Sequence, residues 1–445
     1  MSGRNNENEM ISYDKVDPLP TENPFYYNEN SKLNSIIKEK EKKIPYIHLG
    51  IFLLVIPLLS FLMGLFYIGG IWNPIEKIPD VKYIIVNDDA GCINNESCTQ
   101  MLGMLNSTTL GSFYTKLNDN NHPAGTFEYM EGSRNDAIEK VEKHKNWVSL
   151  YVPKNFTMLV LGNLNLMPGA ANSVVVEEIY DEARSYTTVQ FLKKALDKAK
   201  EAFFNSIAAK VEQYGSFKPQ FLISGIEYKE VNLYPVPGFG QNFSSFISFI
   251  LLWIGTIATA LITHFVFPLE NHWVEKKDVS HPILKTIGAK TLTNGIIMFA
   301  ICVIVSVIPL CCGTVEMYKG YAALLFFFFF FSLCGLGVNN CLVHLFHFIN
   351  FYLIAVTFMI LQFISCGGLL HQNIQYGFFK IGKAFPMFYA VRELKYIYFG
   401  SGKHTQTANV LIILAWTVVS LPISLFLYYL ELKNKRAKIN KNTSN

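Results

Sequence analysis

Long uncharged apolar runs and polar segments divide this chain into distinct regions. From Ile44 to Ile75 there is no Asp, Glu, Lys or Arg, and a helix over Ile47 to Ile71 would measure roughly 37 Å at about 1.5 Å per residue, more than a bilayer core requires. This first run follows a polar tail and lacks a cleavage signature, so it reads as a retained anchor. Four more runs cover Phe243 to Leu269, Thr291 to Val315, Gly320 to Phe379 and Thr405 to Leu430. The third of these is long enough for two spans, and its polar interruption at His344, His347 and Asn350 divides it into Tyr321 to Leu345 and Phe351 to Leu370. The predicted total is six spans, one early and five late, none carrying Asp, Glu, Lys or Arg.

Between the first span and the other five, residues 72–242 change period. Val81–Val86, Thr126–Tyr129, Trp147–Val152 and Ser173–Tyr180 are strand candidates bounded by turn residues, and Tyr228–Val236 leads back to the membrane through Pro235 and Pro237. Ser133-Arg134-Asn135-Asp136 has the form of a capping box opening a helix to about His144. Val189, Leu192, Leu196, Ala199, Phe203 and Ile207 recur at the three- and four-residue steps of a longer helix. The expected fold class is therefore a helical membrane protein with six transmembrane helices (1+5) and an α/β extracytoplasmic domain between spans 1 and 2. Its parts are a disordered cytoplasmic tail (1–45), a first span (46–71), the α/β domain (72–242), a five-helix membrane block (243–430) and a basic tail (431–445).

Charge sets the orientation. With both termini cytoplasmic, Lys38, Lys40, Lys42, Lys43, Lys276, Lys277, Lys285, Lys290 and the C-terminal lysines lie inside, as the positive-inside rule requires. Lys380, Lys383, Arg392, Lys395 and Lys403 then lie outside and break it. Asn95, Asn106, Asn155 and Asn242 each begin Asn-x-Ser/Thr in the segment placed outside and are glycosylation candidates, with Asn242 too close to the membrane to be modified. Another such triplet, at Asn442, falls in the inner tail. Cys92 and Cys98 would face an oxidising lumen there and form a candidate disulfide. The net charge of +4 is a sum over compartments, and no basic face with interleaved aromatics points to nucleic acid.

Candidate chemistry is sparse. Asp88 and Asp89 form a carboxylate pair, but in Asn87-Asp88-Asp89-Ala90-Gly91 they read as turn formers and solvated charges before they read as a metal or acid–base site. No cysteine has zinc-ligand spacing, and no cofactor is implied. Gly400-Ser401-Gly402-Lys403 lacks the earlier glycine of a phosphate loop and follows no buried strand, so it reads as a loop. Within the spans, Asn339 and Asn340 are the sharpest polar feature, more readily interhelical packing than a substrate contact. The run Phe326 to Phe331 reads as lipid-facing or packing bulk. Lys380 to Gly400 reads either as an interfacial helix or as a solvated loop. In the N-terminal tail, Asn23-Pro24-Phe25-Tyr26 has the form of an endocytic signal.

Two stretches carry a family resemblance. The segment from Tyr376 to Gly400, with Gly377, Gly382, Pro386, Arg392 and Gly400, resembles the signature before the last span of DUF3533 proteins, the nitrosoguanidine-resistance family. The Val-Asn-Asp-Asp-Ala-Gly element at Val86 to Gly91, after a first span, is similar to the opening of the outer domain there and in the related phage-infection-protein (YhgE/Pip) and ABC-2 permease groups. The resemblance covers roughly residues 45–430. It implies a non-enzymatic, permease-like protein of the plasma membrane or endomembranes, serving export of or resistance to toxic compounds, or lipid organisation. Membrane lipids, a separate ATPase subunit and a second copy of the chain are the partners it implies. The other reading is an anchored structural or regulatory protein whose outer domain binds a partner.

Overall fold

The computed structural model describes residues 46–444 apart from 94, 105–106, 119–123, 165–173, 213–224, 269–272, 275–279, 314 and 316. The tail motif Asn23–Tyr26 and the triplet at Asn106 lie outside the described residues. The first helix, α1 (Tyr46–Ile71), leads into a 3₁₀ turn at Pro74–Asp80, and its Pro57–Ile71 part is bent from that turn by 51°.

A five-stranded mixed sheet follows, in the order β2-β1-β3-β4-β5. Its strands are β1 (Lys82–Asn87), β2 (Thr126–Glu131), β3 (Val148–Val152), β4 (Val174–Tyr180) and β5 (Ile226–Asn232). All neighbours are parallel except β3 and β4. Strands β1 and β3 lie inside the sheet with both faces covered, which is why they read as continuous apolar runs and not as alternation. Tyr83 and Ile85 point into one core, together with residues of α2 (Glu96–Met104), α4 (Phe156–Leu164) and α5 (Tyr186–Glu212). Ile84 and Val86 point into the other, under α3 (Arg134–Glu142). The capping box at Ser133 and Asp136 is formed. The pattern reading missed α2 and α4, which are short and have no strong helical stripe.

Among the described residues, five helices are long and apolar enough to cross a membrane, or six if the bent pair at Pro57–Asp80 is taken as one span. They are α6 (Phe239–Leu261, continued by a π-helical turn at Ile262–Val266), α7 (Pro282–Cys312), α8 (Tyr321–Leu345), α9 (Phe348–Ser365) and α11 (Gln406–Ser444). Between α9 and α11 lies α10 (Pro386–Phe399). Helix α8 is central, and its glycines permit close approach: a methyl on Gly335 would sit 3.0 Å from Thr256, and one on Gly337 would collide with Ser420. In the phenylalanine run, Phe327, Phe328 and Phe331 are buried against Phe249 and Trp253, while Phe326 is exposed.

Three expectations are corrected. Helix α7 starts nine residues before the uncharged run does, at Pro282 where the run opens at Thr291, and carries Lys290 buried inside the block. The apolar helices therefore do contain charged residues, since Glu431 also belongs to α11. The Lys380–Gly400 segment is not a solvated loop: a 3₁₀ turn at Gly377–Ala384 leads into the helix α10, whose Ala390, Val391, Leu394, Lys395 and Tyr398 are buried. Asp89 is not solvated. Its Oδ1 accepts from Gly91 N (3.2 Å) and Thr157 N (3.1 Å), and its Oδ2 from Gly111 N (2.9 Å) and Thr157 Oγ1 (2.5 Å). It ties the end of β1 to the turn before β2 and to the start of α4, while Asp88 accepts from Tyr151 Oη (2.9 Å).

Candidate functional site

The sheet domain and the helical block meet in one cluster of side chains. Leu370 and Ile374, from the link after α9, belong to the same hydrophobic core as the sheet. The His371 backbone N–H donates to Thr188 Oγ1 at 3.2 Å, and Lys395 Nζ donates to the Arg184 carbonyl at 2.8 Å. Gly382 fits here because a Cβ would run into the Ser365 carbonyl. Pro386 occupies the first turn of α10, where its missing N–H costs nothing, and Gly400 ends that helix at φ +84°, the left-handed conformation glycine takes most easily. The residues that carry the family resemblance are thus largely those that shape this junction.

A cavity of about 280 Å³ opens in it. Lys143, Arg184, Lys383, Arg392 and Lys395 line it with His144, His371 and His404, and among the described residues no carboxylate does. Among the described residues, Lys143 has Glu139 as its ion partner, whereas no carboxylate lies within 4.0 Å of Arg184, Lys383, Arg392 or Lys395. Arg184 lies flat on Trp147, its guanidinium carbon 3.8 Å from the ring centroid, and its Nη1 donates to the Asn146 carbonyl at 3.0 Å. Arg392 sits 5.3 Å over the Phe388 ring.

Asp181 lies beside the cavity. It is consumed by His144 Nε2 (2.9 Å), Ser401 Oγ (2.5 Å) and the Arg184 backbone N–H (3.0 Å). His144 holds φ +54°, an uncommon conformation for a non-glycine residue, at the end of α3.

The electrostatics follow from burial among like charges. Desolvation pulls the Lys395 amine down to about 8, against the pull of Cys366 and Asp181 and helped by Arg392 and Arg184. Desolvation also lowers Arg184 and Arg392 from the ordinary arginine value. His371 is driven well below the usual imidazole value by burial and then by Arg184, Lys395 and Arg392, so it stays neutral. His144 falls to about 4, burial outweighing its bond to Asp181. A cavity lined by several cations and, among the described residues, by no carboxylate has the chemistry to accept an anion.

A second, mostly apolar groove of about 440 Å³ lies between the start of α6 and the end of α7, lined by Ile247, Leu251, Val305, Ile308 and Pro309 with Ser244 and Ser248.

The other sequence-stated residues lie elsewhere. Asn339 is buried; its Nδ2 donates to Thr256 Oγ1 (2.9 Å) and the Gly335 carbonyl (3.1 Å), and its Oδ1 has no hydrogen-bond partner. Asn340 is half-buried beside it. Cys92 and Cys98 are joined as a disulfide with Cα atoms 5.6 Å apart. Asn155 is exposed at the start of α4, Asn95 caps α2 by accepting from Cys98 N (3.0 Å), and Asn242 is 2 % exposed. Gly377 touches nothing that a side chain would meet. Of the residues the family resemblance singles out, only Arg392 lines the basic cavity, beside Lys383, Lys395, Ser401 and Gly402, which the sequence marked only for charge or as a loop. Arg184, His144 and Lys395 were missed as site residues because they come from three elements far apart in sequence. The one signal was that Lys383, Arg392 and Lys395 sit on the side the positive-inside rule depletes.

A bundle of apolar helices joined to a mixed α/β sheet domain, with a basic cavity at the junction, places the chain among multispan membrane proteins. Its family is the one described as protein of unknown function (DUF3533), which matches residues 50–421, and the chain belongs to it. No curated protein and no solved structure matches it.

Proposed function

We propose that this is a non-enzymatic, permease-like protein that handles anionic amphiphiles, in membrane lipid organisation or in export of and resistance to toxic compounds. In this reading the bent first segment and the five long helices make six spans, both termini are cytoplasmic, and the sheet domain stands on the other side of the plasma membrane or an endomembrane. The basic cavity carries the reading. Arg184, Arg392 and Lys395 lose hydration without gaining a carboxylate, a cost repaid when an anionic group such as a phosphate enters. The apolar groove between α6 and α7 supports it, since a lipophilic tail needs such a surface. The Gly400–Lys403 run lacks the earlier glycine of a nucleotide-binding phosphate loop, so in this reading energy for uphill movement comes from a separate ATPase subunit. A homodimer is expected by analogy with ABC-2-like permeases.

The test is lipid redistribution in liposomes holding the purified chain. Fluorescent phosphatidic acid or phosphatidylserine should redistribute faster than in protein-free vesicles and faster than a zwitterionic analogue, and Arg392→Gln should remove that preference. Equal rates with and without protein, whether or not an ATPase is supplied, would favour the anchored structural or regulatory protein instead.

A further inference from the structure

At the end of the helical block away from the sheet domain, three potential metal ligands converge. His264 lies in the π-helical turn that closes α6, His344 in the last turn of α8, and Glu431 on α11. One donor atom from each lies within 4.8 Å of the others. His344 Nδ1 is 2.7 Å from Glu431 Oε2, and His264 Nε2 is 3.8 Å from Glu431 Oε1, too long for a hydrogen bond. The His264 side chain is 11 % exposed and its Nδ1 has no hydrogen-bond partner. A buried imidazole with one ring nitrogen unpartnered, beside a second imidazole and a carboxylate, has the surroundings of a cation ligand.

We propose that His264, His344 and Glu431 bind a divalent transition-metal ion of the zinc type. Two imidazoles and one carboxylate are a recurrent zinc donor set, whereas calcium and magnesium prefer all-oxygen shells. Tetrahedral bonds of about 2.0 Å separate donor atoms by about 3.3 Å, so the pairs at 2.7 and 3.8 Å bracket the required spacing. Binding exchanges the His344–Glu431 hydrogen bond for two bonds to the ion. Glu431, 40 % exposed, provides the open side through which the ion enters and where water completes the shell. The surroundings stiffen the site: Tyr428 stacks on His344 with ring centroids 4.8 Å apart, and Phe265 packs edge-on against His264 at 4.6 Å.

One neighbour opposes the ion. Lys290 of α7 lies 4.1 Å over the Tyr428 ring and within electrostatic reach of both His264 and Glu431. Its charge lowers the affinity without blocking the donors, which makes it a useful probe.

The experiment is Co²⁺ and Zn²⁺ titration of the full-length, tag-free protein in detergent, with bound metal counted after dialysis. The expected result is one ion per chain and visible Co²⁺ absorption bands of a tetrahedral site. His344→Ala or Glu431→Gln should weaken binding by about tenfold or more, and Lys290→Met should tighten it severalfold, a gain that mere loss of packing would not produce. If the His344 variant fails to fold, Lys290→Met and His264→Gln carry the test. Absence of stoichiometric binding in the wild-type chain, binding unchanged in the ligand variants, or no gain in Lys290→Met would overturn the assignment.

Discussion

Replacing Lys395 by methionine should stabilise the ligand-free protein near neutral pH and weaken its hold on anions. The Lys395 side chain is buried in the basic cavity, and its amine drops from 10.5 to about 8 because burial strips its hydration. At about 1.4 kcal/mol for each tenfold change in proton affinity, this amounts to about 3 kcal/mol. The sign follows from a folded value below the unfolded one. The cost is full below pH about 8, falls as pH rises from there towards 10.5, and is absent above. Methionine keeps the length and sheds the charge, at the loss of the bond to the Arg184 carbonyl, worth about 1 kcal/mol.

The net expectation is a gain of about 2 kcal/mol at pH 6.5, shrinking to nothing or reversing near pH 10. Thermal unfolding of the full chain in detergent, followed by tryptophan fluorescence, reads it. Trp147 reports directly, since Arg184 lies on its ring and His371 meets its edge at 4.8 Å. Inorganic phosphate or a short-chain phosphatidic acid should protect the wild-type protein below pH about 8 and protect the variant less. A variant less stable than wild type at pH 6.5, or equally protected by phosphate, would refute the idea that the cavity holds charge in waiting.

Asp89→Asn should cost the fold about 3 kcal/mol, because an amide nitrogen would face buried N–H or O–H donors, and Asn should be as damaging as Ala in urea unfolding. If the sheet domain is extracytoplasmic, a glycosidase-sensitive gel shift should shrink in Asn155→Gln and be unchanged in Asn242→Gln, whose wild-type side chain is packed away; a domain open to cytosolic protease would reverse the topology. A double-mutant cycle between Asn339→Leu and Thr256→Val should give a coupling of about 1 kcal/mol in thermal stability, with unchanged lipid redistribution, if the pair is packing and not pathway.

By itself the sequence determined what local pattern can encode. Apolar runs marked the five long helices, because a span needs about 20 uncharged residues in a row. Four of the strands were legible from their runs, β1 and β3 most clearly because strands buried on both faces are continuously apolar, whereas the edge strand β5 is half-buried or exposed throughout and was not marked as a strand; the capping box opened α3 where its spacing said. What pattern could not encode was the set of neighbours. Asp89 looked like a turn residue, and only packing made it a buried clasp between β1, α4 and the turn before β2. Helix α7 extends into charged sequence, and there Tyr428 offers its ring to the buried Lys290. The Lys380–Gly400 charges looked like surface, but burying the apolar face of α10 carried Arg392 and Lys395 to Arg184, some 210 positions earlier. His264, His344 and Glu431 come from three helices, and the two histidines stood in the sequence only as polar residues near span ends. Their meeting is decided by how helices stack, which one-dimensional spacing does not record.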